Sequence, residues 1–196
     1  MLALTGDTST PAGLQRELGM MRAVADNGDV TLVHAIPVNW NEDLAYQRTK
    51  AVLARTRVDA VWGANDAIAF GAQKAAKEDG FDVGKDIQFV GLNWSKRGMD
   101  AVFSNELTMT HGGHFFAGAW AMVMLHDHFF ARVTGEVHVD VLFKMSPITP
   151  ENVDLYLSRL GDGDWGKIDF RQFSKADNGH SHYDFSADAI LSAAGS

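Results

Sequence analysis

The sequence predicts an α/β fold, an open parallel sheet with helices on both faces followed by an irregular C-terminal tail. Three observations lead there. Short apolar runs alternate with helix-like stretches along the first 110 or so residues, and such alternation implies parallel strands joined by right-handed crossovers. Two of those runs, Val61-Trp62-Gly63-Ala64-Asn65-Asp66-Ala67 and Phe89-Val90-Gly91-Leu92-Asn93-Trp94-Ser95, end in glycine and then an amide, each with a helical segment behind it. At 196 residues and 46% apolar, the chain can bury one full core, or one core plus an appendage.

The elements follow in order. Leu2-Ala3-Leu4 begins a strand that stops at Thr5-Gly6-Asp7. Pro11 suits a first helical turn, after which Leu14, Leu18, Met21 and Ala25 recur at helical spacing. Thr31 to Ala35 is the next strand, ended by Pro37; residues 42–55 form a polar-faced helix, and Asp59 to Trp62 a third strand. A helix from about Asp66 to Lys77 precedes the strand Ile87 to Val90, with Asp66 placed as the helix N-cap. Leu107 to Thr110 is a short strand running into His111-Gly112-Gly113-His114. A long apolar helix to about Val133 and a strand from Val137 to Phe143 come next. Thr149-Pro150-Glu151 then opens a helix with Thr149 as N-cap and Pro150 at its first position. Residues 161–196, rich in Gly, Asp and Ser with scattered aromatics, read as a tail that packs in places without a core of its own. There is no internal repeat and no low-complexity linker.

Composition narrows the function. A net charge of −8 argues against a nucleic-acid or anionic-membrane surface, both of which need clustered Lys and Arg. Absence of cysteine excludes disulfides, thiolate metal sites and a cysteine nucleophile, and it fits a reducing or an oxidising compartment. The start has no basic region and meets Asp7, so it does not read as a signal peptide. The longest apolar run, Phe115 to Leu125, is 11 residues, too short to span a bilayer and suited to a buried helix. No serine-nucleophile, phosphate-loop or dinucleotide motif is present, so the chain does not read as an enzyme and calls for no cofactor.

Strand C-termini of an open parallel sheet line one crevice, where ligands bind. Asn65 and Asn93 leave two such ends and are the first candidates for a small-molecule site. Trp40, between Asn39 and Asn41 in a polar loop, is a candidate stacking aromatic. Trp94 is a weaker candidate, and Trp62, inside a strand, reads as core. The eight histidines pair at 111 and 114, 126 and 128, and 180 and 182, but no acid stands at a matching position, so no metal site is assigned. Asp162-Gly163-Asp164 lacks the remaining features of a calcium loop.

At these residues the chain resembles the type I periplasmic solute-binding proteins, specifically the ribose-binding-like branch of the ABC transporter substrate-binding family. Leu4-Thr5-Gly6 with Gln15-Arg16-Glu17-Leu18-Gly19, the segment Val61 to Gly71, and Val90-Gly91-Leu92-Asn93, where that family usually reads Val-Gly-Phe-Asp, carry the likeness. The resemblance extends from Leu4 to about Phe143. It implies one lobe of the type I fold. Residues 1–113 would form the C-terminal ligand-binding lobe. Residues 114–145 would be a crossover helix and strand completing an N-terminal lobe that the sequence lacks, and 146–196 a C-terminal helix and irregular tail. It adds Arg16 as a ligand-contacting fork and places His111 and His114 near a ligand-binding amide. The implied function is the solute-binding component of an ABC transporter, holding a sugar or sugar-like ligand between two lobes and partnering a membrane permease, periplasmic as a full-length protein. The alternatives are a ligand sensor for a membrane kinase and the effector domain of a sugar-responsive transcription regulator. A single lobe is expected to bind sugar weakly. It is also expected to self-associate through residues 114–145, whose neighbours would be absent.

Overall fold

Five strands and the helices between them follow one another in the predicted order through residue 112 of the computed structural model, which describes residues 1–130, 144–179 and 182–194. They are β1 (Leu2–Thr5), α1 (Pro11–Asp26), β2 (His34–Pro37), α2 (Glu42–Leu53), β3 (Ala60–Gly63), α3 (Asp66–Glu78), β4 (Gln88–Leu92), α4 (Lys96–Phe103) and β5 (Met109–Gly112). A 3-10 turn, His114–Phe116, leads into α5 (Ala117–Phe129). The chain returns as β6 (Ser146–Ile148) and α6 (Val153–Leu160), then closes with 3-10 turns and the short helices α7 (Lys175–Asn178) and α8 (Ala187–Ala193). The predicted end of the apolar helix near Val133 and the strand Val137 to Phe143 lie outside the described residues.

The sheet runs β2-β1-β3-β4-β5-β6. Its first five strands are parallel, with Leu4 opposite Gly63, Trp62 opposite Val90 and Leu92 opposite His111. Parallel pairing puts all five C-terminal ends on one edge. β6 departs from the sequence reading, which placed no strand there: it pairs antiparallel with β5, His111 opposite Pro147. Three residues containing a proline give no alternation to recognise.

Helix starts explain the crevice. Thr10, Asn41, Asn65 and Ser95 each accept a hydrogen bond on the side chain from a backbone N–H three residues on, so α1 to α4 all begin from a capped turn at a strand end. Asn65, not Asp66, caps α3. Asp66 is instead the first helical residue, and its carboxylate turns inward. α6 likewise opens at Val153 rather than from Thr149: the Thr149 N–H donates to the Asn152 side chain, and the Thr149 carbonyl accepts from the Asn152 and Val153 amides in a tight turn.

β2 begins three residues later than predicted and β5 two. Both shifts follow from pairing with β1 and β4, because a half-exposed edge such as β2 carries little apolar signal. α1 is rolled outward. Its helical apolar stripe does not face the sheet: Leu14, Leu18 and Met21 are 45%, 39% and 44% exposed, while Gly13 and Met20 are buried. Gly13 sets this rotation, since a Cβ there would meet the Asp7 carbonyl oxygen at 2.0 Å. The close approach of α2 to α3 has the same origin at Gly71, where a Cβ would meet the Glu42 carbonyl oxygen at 2.1 Å.

The core is one continuous cluster. Leu2, Leu4, Val61, Phe89 and Ile68 fill the sheet side, and Ile168, Phe173, Phe185, Ile190 and Leu191 bring the C-terminal residues into the same cluster. Trp62 packs against it, half-buried. Trp120 of α5 was expected to lack cover, and it is 3% exposed. Its ring stacks on Phe185 at 4.5 Å and meets Phe173 and Phe170 edge-on, so part of the apolar helix has found its neighbours in the tail. The opposite side of that helix still shows Met122, Leu125 and Phe129 to solvent. Among the described residues no helix is long and apolar enough to cross a membrane.

Candidate functional site

The C-terminal edge of the parallel sheet collects the predicted residues. Arg16 leaves the second turn of α1 and reaches across β1. Its guanidinium donates to the Ala64 carbonyl oxygen at 2.6 Å and to Asn93 Oδ1 at 3.2 Å, and lies 3.3 Å from His114 Nε2. The same group sits 5.3 Å from the centroid of the Trp40 ring. Arg16, Trp40, Asn93 and His114 are therefore one contact group, built from α1, the β2–α2 loop, the end of β4 and the turn after β5.

Asn65 and His111 stand beside that group without touching Arg16. Asn65 follows Ala64 directly, and its Oδ1 is engaged by the Ile68 N–H at 2.8 Å, which leaves the amide NH2 as its remaining donor. His111 lies in β5 opposite Leu92 and is half-buried. Burial holds the imidazole pKa of His111 below its ordinary value. Burial does the same for His114, reinforced by the positive charge of Arg16 and by His111. Both rings are thus neutral at neutral pH. Because Arg16 can only donate, His114 Nε2 must accept, and the ring proton resides on Nδ1. That atom is buried and has no partner, as is Thr5 Oγ1 at the end of β1. A buried polar atom without a partner is costly.

Two tryptophans shape the walls. Asn39 and Trp40 have φ values of 50° and 62°, and Asn93 and Trp94 have 126° and 55°, so the same dipeptide occurs twice in the left-handed region. Such backbone is strained for a non-glycine residue and clusters at functional sites. The Trp40 ring rests on Gly6, where a Cβ would come within 2.3 Å of it. Trp94, weighed above as a ligand contact, is buried at 5% exposure instead.

A buried carboxylate beneath the site was not legible in the sequence. Asp66 is 2% exposed and accepts from the Ser95 N–H at 2.9 Å, Ser95 Oγ at 2.7 Å and Thr110 Oγ1 at 2.7 Å. Gly91 and Gly98 make room for it, since a Cβ at either would lie within 2.5 Å of a carboxylate oxygen. Burial pushes its pKa up, opposed by those hydrogen bonds and by the charge of Arg16. The pair of glycines is a faint sequence signal, visible only once β4 and α4 are placed over α3. Burial pushes Arg16 in turn below its ordinary value, with Asp66 opposing. Among the described residues no three His, Cys, Asp or Glu side chains come together as a metal site would need. His180 lies outside the described residues.

Known proteins share this architecture. Residues 1–129 match the periplasmic binding protein domain. A periplasmic sugar-binding protein from Pseudomonas fluorescens is 34% identical, with a TM-score of 0.87 over 97% of this chain and 59% of its own. The chain therefore spans little more than half of that relative. An ABC transporter solute binding protein from Bacillus halodurans with bound myo-inositol is 21% identical, with a TM-score of 0.68 over 80% of this chain and 54% of its own. A periplasmic solute binding protein of an ABC transporter from Actinobacillus succinogenes with bound D-allose is 20% identical, at 0.67 over 79% and 54%. At those identities the last two establish the fold alone. No curated protein matches the sequence. A capped crevice at the end of a 2-1-3-4-5 parallel sheet, matched to the family through residues 1–129, gives one conclusion: the chain belongs to the periplasmic binding protein domain family.

Proposed function

We propose that this chain is the C-terminal lobe of a sugar-binding solute receptor that serves an ABC transporter. The single observation that carries the reading is the convergence of Arg16, Asn93, His114 and Trp40 at the strand ends. Those groups suit a polyhydroxylated ring. A guanidinium fork and the Asn65 NH2 donate to hydroxyl oxygens, Asn93 Oδ1 accepts, and an indole beside them takes an apolar C–H face. A neutral amide at position 93 makes its hydroxyl contact an uncharged one, weaker than a carboxylate would make. The role is binding rather than catalysis. The relatives named above are sugar-binding and transport proteins, which favours transport over the sensor and regulator alternatives. Their family also favours a periplasmic location for the whole protein, with a membrane permease as partner.

One lobe supplies about half of a closed site and cannot exclude water by closing on its ligand. Isothermal titration of the 196-residue chain with D-allose, myo-inositol and D-ribose is expected to show dissociation constants of the order of millimolar or weaker. Submicromolar binding by the chain alone would overturn the half-site view. Absence of any saturable response from Asn65, Asn93 and His111 in NMR titrations with these sugars would count against sugar as the ligand class.

A further inference from the structure

Arg16 brings a positive charge into the crevice, and no carboxylate of the chain pairs with it there. The residue is half-buried, and its three contacts all fall on neutral atoms, the Ala64 carbonyl oxygen, Asn93 Oδ1 and His114 Nε2. Among the described residues it makes no ion pair. The bond from Nη1 to Ala64 is short at 2.6 Å, whereas the two acceptors that share Nη2 stand off at 3.2 Å and 3.3 Å. A guanidinium on a carboxylate closes to about 2.7–2.9 Å. Nε, on the Nη2 side of the fork, has no partner among the described residues. That edge is held loosely by neutral groups and has a donor to spare. The neighbours add no negative charge. Asn65 and Asn93 are amides, and burial keeps His111 and His114 neutral at neutral pH. Asp66 is the carboxylate whose charge acts on Arg16, but it is 2% exposed, and both its oxygens already accept from Ser95 and Thr110. A cation taken partly out of water without a direct counter-ion is unfavourable, and a ligand that brings one offsets that cost.

We propose that the sugar taken by this crevice carries a carboxylate, as a hexuronate does, with the carboxylate on the Nη2–Nε edge of Arg16 and the ring against Trp40. The proposal rests on the sugar-binding reading above and narrows it. The planar fork suits a carboxylate, which can take both N–H groups of one edge in place of the two stretched neutral contacts. The Trp40 ring, 5.3 Å from the guanidinium, is near enough to cover the sugar ring that bears the acid. Charge count favours a carboxylate over a phosphate ester. One guanidinium balances one negative charge, whereas a phosphate monoester brings nearly two and would set the excess above Asp66. Asn93, released from Arg16, keeps its amide for the sugar hydroxyls.

Matched pairs titrated into the full 196-residue chain test this: D-glucuronate against D-glucose, and D-galacturonate against D-galactose, at neutral pH and constant ionic strength. Binding is read from the NMR signals of the Trp40 indole N–H and the Asn93 side-chain amide. Each uronate is expected to bind about tenfold tighter than its hexose, the difference between a charge-assisted hydrogen bond and a neutral one. Arg16→Gln keeps a donor without the charge and should bring the two members of each pair together. In the parent chain, NaCl raised to about 0.5 M should weaken the uronates and leave the hexoses where they were. This salt arm decides if Arg16→Gln does not melt cooperatively. Hexoses as tight as their uronates, or a uronate advantage that survives both salt and Arg16→Gln, would overturn the carboxylate assignment and leave the sugar reading standing. D-glucose 6-phosphate binding tighter than D-glucuronate, or sodium acetate binding as tightly, would overturn it too. Silence from every sugar would remove the sugar reading itself, and the proposal with it.

Discussion

Asn65 serves two purposes at once, and its variants separate them. The Oδ1 atom caps α3, which leaves the NH2 as the group it can offer a ligand. Asn65→Ala should therefore cost about 1 kcal/mol in urea unfolding, the usual worth of a lost cap, together with any sugar response. Asn65→Asp keeps the capping acceptor next to the positive helix end, so stability should hold while the sugar response falls. Equal stability loss in both variants would mean that capping is not what fixes this residue. The buried histidines make a second claim. Their pKa values lie below 6.5 in the folded chain, so the unfolded chain binds more protons below that point. Stability contributed by neutral His111 and His114 is then complete above about pH 6.5 and is lost as pH falls through their depressed values. Asp66, raised above 3.8, works in the opposite sense, gaining as pH falls through its own folded value. The His111→Gln/His114→Gln double variant should lose less of its urea midpoint between about pH 7.5 and pH 5.5 than the parent does. Parallel losses would show that these rings are not held neutral. Asn65, Asn93 and Arg16 were legible because a strand-end amide and a family segment name them. The hub at Asp66 was not, because its partners Ser95 and Thr110 lie 29 and 44 residues away and only the sheet order brings them together.

At the level of elements, the alternation of runs sufficed for β1 to β5 and α1 to α4, since each pairs or packs with a near neighbour in sequence. It failed where contacts are distant. Neither the outward roll of α1 nor the antiparallel β6 leaves a periodic mark, and the cover over Trp120 comes from aromatics 50 and more positions away, too sparse to read as an element. The joint between α5 and the tail is polar as well as aromatic. Asp127 is 1% exposed and accepts from Ser174 Oγ, the Lys175 N–H at 2.8 Å and the Tyr183 hydroxyl at 3.0 Å. Burial pushes the Asp127 carboxyl up, but these donors outweigh it and hold the pKa below its ordinary value. Burial and the same hydrogen bond push Tyr183 up to about 12. Asp127→Ala would remove the acceptor that three donors share, and we expect a loss of about 3 kcal/mol with early proteolytic cleavage within residues 165–194. A variant as stable and as protease-resistant as the parent would show that the aromatic stack alone fastens the tail.

For the molecule as a whole, the apolar surface left on α1 and α5 keeps self-association an expected behaviour. Leu14, Leu18 and Met21 on one helix, and Met122 and Phe129 at 66% and 67% exposure on the other, offer apolar side chains to a second copy. Light scattering at micromolar concentration should give a mass above that of one chain, falling on dilution. A clean monomer at all concentrations would retire the expectation. What kind of contact such an assembly makes follows from the rims of the sheet. β2 and β6 are its two outermost strands among the described residues, four and three residues long, and each contains a proline, Pro37 and Pro147. Proline has no N–H to offer an incoming strand, so neither rim presents an unbroken ladder of donors. Copies of this chain should therefore meet through helix side chains and come apart again, rather than zip their sheets into a growing fibre.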